Sequence, residues 1–113
     1  MKLQDVVFSE TITKYRQSEI DEIGQWARDR VLPSPVHLEI GSNRGRFLLE
    51  MAELHQKHTI LGIEIRRKFA KTLQVEIDQR ELPNVHILGA DAMLALPLLF
   101  QDGALESVYL LFP

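Results

Sequence analysis

Glu39-Ile40-Gly41-Ser42-Asn43-Arg44-Gly45 is the segment of this chain whose residue types and spacing are best suited to hold a ligand. Its glycines let the backbone turn sharply and let a ligand approach main-chain atoms. A dinucleotide fingerprint would need glycine at 43 and 46, where Asn43 and Arg46 stand, and a phosphate-binding P-loop would need a Gly-Lys-Ser or Gly-Lys-Thr, which does not follow. About 20 residues further on stands Glu64, a carboxylate able to accept hydrogen bonds from both ribose hydroxyls of an adenosine. Gly89-Ala90-Asp91-Ala92 then offers a backbone amide and a carboxylate suited to a purine edge, with Asp91 accepting from the exocyclic amine. Each group also has a plain structural role: a glycine turn joins strand to helix, Glu64 is a solvated strand end, and Asp91 caps a helix. Together, in order, they point to an adenosine-containing cofactor.

These groups can converge only if strand ends carry them, and the hydrophobic pattern supplies such ends. Val36-His37-Leu38-Glu39-Ile40, Thr59 to Glu64, Val85 to Leu88 and Ser107 to Leu111 read as strands. Between them, Phe47, Leu48, Met51, Ala52 and Leu54 mark a helix from about Arg44 to His55, and Phe69, Ala70, Leu73 and Ile77 mark a second that closes at Leu82-Pro83-Asn84. A short helix from Asp91 to about Leu96 is expected to be cut by Pro97. An N-terminal helix with Ile20, Ile23, Trp26 and Ala27 on one face runs to about Arg30, ending before Pro33-Ser34-Pro35. The alternation implies an α/β fold of parallel strands with helices on both faces and a ligand beyond the carboxyl ends of the strands. Residues 1–35 form an N-terminal extension with a helix, and residues 36–113 the cofactor-binding unit.

The spacing Glu-x-Gly-x-x-x-Gly resembles the first motif of S-adenosylmethionine methyltransferases, with Asn43 where a middle glycine is usual. Asn tolerates a left-handed backbone better than other residues bearing a β-carbon, and its side chain is expected to crowd the methionine part of the cofactor. Leu38 to Leu49, Leu61 to Ile65, Pro83-Asn84-Val85 with Gly89 to Ala92, and Val108-Tyr109-Leu110-Leu111-Phe112-Pro113 resemble, in order, the bacterial tRNA (guanine-N7-)-methyltransferases. The resemblance implies a Rossmann-like class I methyltransferase sheet, present in part as four parallel strands with the C-terminal strands missing. It implies S-adenosylmethionine as cofactor, held by Glu39, Gly41, Asn43, Gly45, Glu64, Ala90 and Asp91, and tRNA as partner. The reaction implied is methyl transfer to a guanine N7 in the tRNA variable loop, where the lone pair carries no proton and alignment matters more than a strong base. No catalytic residue is assigned, because the family's guanine contacts are associated with an Asp after Phe-Pro and with the C-terminal half. The chain alone is therefore expected to be inactive, and its fourth strand, exposed at the sheet edge, to favour self-association. The alternatives are a cofactor-binding scaffold without catalysis and a small-molecule methyltransferase of the same fold.

The remaining composition narrows the chemistry. The chain has 113 residues, no cysteine, a formal net charge of -3 and 45% hydrophobic residues, which suits one globular domain and excludes disulfides and thiolate metal sites. No secretory signal or membrane-length apolar run is present, and a cytoplasmic setting is expected. The acidic balance weighs against a general nucleic-acid binder, yet Arg44, Arg46, Arg66, Arg67, Lys68 and Lys71 cluster near the loop and the following helix. Arg44 and Arg46, beside the loop, are expected to meet tRNA phosphates; the plain alternative is a solvated face neutralised by Glu50, Glu53 and Glu76. His37, His55, His58 and His86 lack the spacing of metal ligands, apart from His55 with His58, and no metal is expected. Trp26 is expected to pack the N-terminal helix on the sheet.

Overall fold

The structure, a computed structural model, describes residues 16–28, 30–33, 35–100 and 107–110, with backbone only for Val108 and Leu110. The Phe112-Pro113 ending lies outside the described residues. Helix α1 (Gln17–Arg28) leads into β1 (Val36–Ile40), α2 (Arg46–Leu54), β2 (Thr59–Glu64), α3 (Arg67–Arg80), β3 (Val85–Gly89), α4 (Ala92–Leu99) and β4 (Ser107–Leu110). Parallel pairing of β1 with β2, β2 with β3, and β1 with β4 gives the order β3-β2-β1-β4. Strand order thus reverses between β1 and β4, which places the crevice for a ligand beside the carboxyl end of β1.

Side chains alternate across this sheet, so the register divides the core in two. Leu38, Leu61, Ile63 and Leu88 pack with Ile23 of α1 and with Leu94, Ala95, Leu98 and Leu99 of α4. On the opposite face Ile60, Val85 and Ile87 pack with Leu48, Leu49 and Ala52 of α2 and Ala70, Leu73 and Ile77 of α3. Glu39, paired in register with Gly62, shares this second face and lies beneath α2. Gly62 is required there: a β-carbon would meet Ser42 Oγ at 2.4 Å, Leu48 Cδ2 at 3.0 Å and Ile87 Cδ1 at 3.1 Å.

Trp26 does pack α1 on the sheet, and its indole Nε1 also donates to the Ile87 carbonyl at 3.0 Å. That bond satisfies a backbone acceptor on the outer strand β3, which would otherwise offer a pairing edge. Pro97 does not end the last helix, contrary to the sequence reading; α4 continues to Leu99. The proline removes the bond to the Met93 carbonyl, but Met93 and Pro97 both face solvent, where that carbonyl can tilt outward to water. Burial of Leu98 and Leu99 on the inner side offsets the lost bond.

Candidate functional site

The loop after β1 is held by backbone geometry that only a few residue types adopt. Gly41 (φ 81°), Asn43 (φ 53°) and Gly45 (φ 84°) are all left-handed. The expectation that Asn43 supports a left-handed turn is met. Its side chain folds back over the loop, with Nδ2 donating to the Gly41 carbonyl at 3.0 Å and Oδ1 accepting from Arg66 Nη2. Gly41 N donates to Ile63 O at 2.8 Å and extends the β1–β2 ladder by one residue. Gly45, rather than Arg44, sets the start of α2: a β-carbon there would lie 2.2 Å from Leu73 Cδ1, so this glycine also lets α3 approach the loop.

Glu39 sits under this loop, 2% exposed, and neither carboxylate oxygen hydrogen-bonds to a described residue; Ser42 Oγ is likewise buried without a partner. Burial pushes the Glu39 carboxyl up to about 7, with the nearby Ser42 hydroxyl opposing the rise and the charge of Glu64, a smaller effect, adding to it. A buried carboxyl without a partner is unfavourable unless neutral or matched by a cation.

Glu64 ends β2 and is no solvated strand end. It is 1% exposed and its carboxylate accepts four hydrogen bonds. Oε1 accepts from Asn43 N at 2.8 Å and Arg66 Nη2 at 3.1 Å; Oε2 accepts from Arg66 N at 2.8 Å and Arg66 Nε at 3.0 Å. Burial alone would push Glu64 up, but the Arg66 side chain, the amides of Arg66 and Asn43 and the guanidinium charge together hold it below the ordinary carboxylate value. The Arg66 guanidinium also lies over the Phe69 ring, 4.0 Å from its centroid.

At the end of β3, the Ala90 amide donates to the Glu64 carbonyl at 3.1 Å, so it is engaged in the sheet rather than offered to a ligand. Asp91 caps α4, accepting from Met93 N at 2.9 Å. Ile65 and Met93, beside these two carboxylates, are exposed apolar side chains at the same end of the sheet, and neither was singled out in the sequence as part of the site. Their signal in the sequence is an apolar residue placed just beyond a strand-end acid.

Arg44 and Arg46 are exposed beside the loop. Arg44 lies over Phe69 at 5.7 Å, and Arg46 pairs with Glu50 at 3.5 Å. With Asn43, Phe47 and Arg66 they line an open pocket of about 790 Å³ on the α2–α3 side of the loop. Of the carboxylates expected to neutralise this cluster, Glu50 pairs with Arg46, whereas Glu53 and Glu76 pair with Arg80 and Arg67 pairs with Glu22 of α1. At the opposite end of the sheet the fold brings His37 to the closely spaced His55 and His58. His37 Nε2 and His58 Nδ1 are 2.8 Å apart, His37 Nδ1 meets Ser107 Oγ, and His55 lies 5.4 Å from His58 between ring centroids. Among the described residues no group of three His, Cys, Asp or Glu side chains is arranged to hold a metal ion, and no helix is long and apolar enough to cross a membrane.

Parallel strands in this order, with a left-handed glycine turn after β1 and an acid closing β2, define an α/β methyltransferase fold. A family model described as "Putative methyltransferase" matches residues 33–113, and the chain belongs to that family. It is 42% identical over 84 residues to the tRNA (guanine-N(7)-)-methyltransferase of Synechococcus sp. (strain JA-3-3Ab), covering 74% of this chain and 36% of that protein. The protein of the same name from Geobacillus thermodenitrificans (strain NG80-2) is 36% identical over 89 residues, covering 79% of this chain and 41% of the relative. The chain therefore spans well under half the length of these relatives. Among solved structures, coclaurine N-methyltransferase bound to N-methylheliamine and SAH matches 68% of this chain and 23% of its own, with a TM-score of 0.50 and 19% identity, a likeness of fold.

Proposed function

We propose that this chain holds S-adenosylmethionine at the carboxyl ends of β1, β2 and β3, as the cofactor-binding part of a tRNA (guanine-N7-)-methyltransferase. The observation that carries this reading is the meeting of Glu64 with the Gly41–Gly45 loop at the reversal of strand order, joined by the Asn43 amide. The names of its relatives support the substrate. The four parallel strands described are, in this reading, part of a class I sheet, and the outer edge of β4 is the place where further strands or a second copy would pair.

The residues present fit the cofactor. Glu64 carries the acceptors for a ribose diol, and Gly41 and Gly45 allow close approach of the main chain. Ile65 and Met93 supply apolar surface for a purine beside Asp91. Glu39 is buried and unpartnered beneath the loop, where a cationic ligand would favour its charged form. When bound, S-adenosylmethionine supplies an electrophilic methyl group on a sulfonium. The protein's part is to hold the donor in line with a nucleophile that needs no deprotonation, which is why few catalytic groups are required. Arg44 and Arg46 meet tRNA phosphates beside the loop and position the RNA without reading its sequence. The setting is the cytoplasm, where the RNA is found.

The test is methyl transfer from methyl-labelled S-adenosylmethionine to tRNA by the protein that carries this chain at its natural length. Label at the variable-loop guanine, lost when that guanine is replaced by adenine, supports the reading. Label confined to a small-molecule acceptor, or to another tRNA position, refutes it.

A further inference from the structure

Glu64 has room for about four hydrogen bonds, two per carboxylate oxygen, and all four are made within the chain. Two come from backbone amides, Asn43 N and Arg66 N, which the loop and the start of α3 hold in place. The other two come from one guanidinium, through Arg66 Nε and Nη2, one to each oxygen. Two donors side by side on a planar fork present to the carboxylate the same pattern as the two hydroxyls of a vicinal diol. A ribose cannot add its hydroxyls to a filled acceptor set, and the backbone donors cannot leave without unfolding the loop.

We infer that Arg66 is a self-ligand: its guanidinium occupies the diol position on Glu64, and a nucleoside ligand binds by displacing it. The side chain is suited to this. It is 45% exposed and needs only rotation about its own side-chain bonds to leave. In this position the guanidinium also stacks on Phe69 and donates to the Asn43 side-chain oxygen, contacts that a displacing ligand must outweigh, and the open pocket beside it gives the side chain room to swing out. Arg66 is then a positioning residue that lowers the affinity of any diol-bearing ligand and keeps the buried Glu64 carboxylate matched by a cation while no ligand is present. It also leaves the site selective, since only a ligand that offers two donors in the fork's place recovers both bonds.

This inference rests on the reading of Glu64 as the ribose acceptor, and the experiment separates the two. S-adenosylhomocysteine and an analogue lacking both ribose hydroxyls are titrated calorimetrically into the wild-type chain, Arg66→Ala and Arg66→Lys at pH 8, with thermal melting to establish that each variant is folded. Because a half-exposed ion pair is weak, Arg66→Ala is expected to bind S-adenosylhomocysteine roughly three- to tenfold more tightly. Arg66→Lys, which keeps the charge and loses the fork, falls between. The analogue should bind all three alike. A wild-type preference for the diol supports the Glu64 reading, whatever Arg66 does. If that preference is present and Arg66→Ala binds S-adenosylhomocysteine no better, or changes both ligands equally, the self-ligand inference is overturned alone. If neither the wild type nor Arg66→Ala distinguishes the two ligands, or neither protein binds them, both fall.

Discussion

Replacing Glu39 by Gln should abolish a specific pH dependence of folding stability. The carboxyl is buried beneath the loop with no hydrogen bond to either oxygen, and burial raises it from 4.5 to about 7. A group whose value is raised on folding keeps its proton in the native state after the unfolded chain has lost it. The stabilisation it brings is therefore complete below 4.5 and is lost as the pH rises through about 7. At about 1.4 kcal/mol per pH unit, the difference across that window is roughly 3 kcal/mol. Against a total of about 5–15 kcal/mol for a domain this is large enough to measure. Urea unfolding at pH 5, 6, 7 and 8, followed by the fluorescence of Trp26, the chain's one tryptophan, should show the wild type losing about 2–3 kcal/mol more than Glu39→Gln over this range. Glu64 behaves oppositely, since its lowered value gives stability that is present above its unfolded value and lost on acidification, but it is common to both proteins and cancels in the comparison. Parallel stability profiles for the two proteins would mean that Glu39 is charged and matched in the native state, and the account of an unpartnered carboxyl would be wrong.

Three further outcomes are expected. Gly62→Ala drives a β-carbon to 2.4 Å from Ser42 Oγ and against Leu48 and Ile87, so it should destabilise the fold by about 1–3 kcal/mol in chemical denaturation. Asn43→Gly keeps the left-handed turn and removes a side chain from the loop; S-adenosylhomocysteine should bind at least as tightly by calorimetry, and a clear loss would show that Asn43 touches the ligand. Replacing Arg44 or Arg46 by Ala should weaken binding to all tRNAs alike and make the salt dependence shallower by about one unit of slope; an effect confined to one tRNA would indicate base contacts instead.

The parts of this structure that follow from local rules were readable in the sequence. Short apolar runs bounded by turn residues placed β1, β2 and β3, and the positive φ of Asn43 follows from its place between two glycines in a strand-to-helix turn. What could not be read depends on register and on side-chain geometry. His37 meets His58 and Ser107 only because β1 lies between β2 and β4, an order that no spacing along the chain encodes. The Glu64 carboxylate was legible as an acceptor, but its saturation by Arg66 arises from one rotamer of a side chain two residues away. That the Ala90 amide forms the last rung between β2 and β3 likewise depends on register. Pro97 misled because propensity treats every interior proline alike, whereas this one faces water on a helix whose other side is buried.

The central claim is that an adenosine-bearing cofactor is held by Glu64 at the end of β2. Calorimetric titration of S-adenosylhomocysteine into the wild-type chain and Glu64→Ala tests it most directly. The account predicts that the wild type binds and that the variant loses roughly 1–3 kcal/mol of binding free energy, the range for a charge-assisted acceptor. Equal affinity for the two proteins, with both folded, would contradict it.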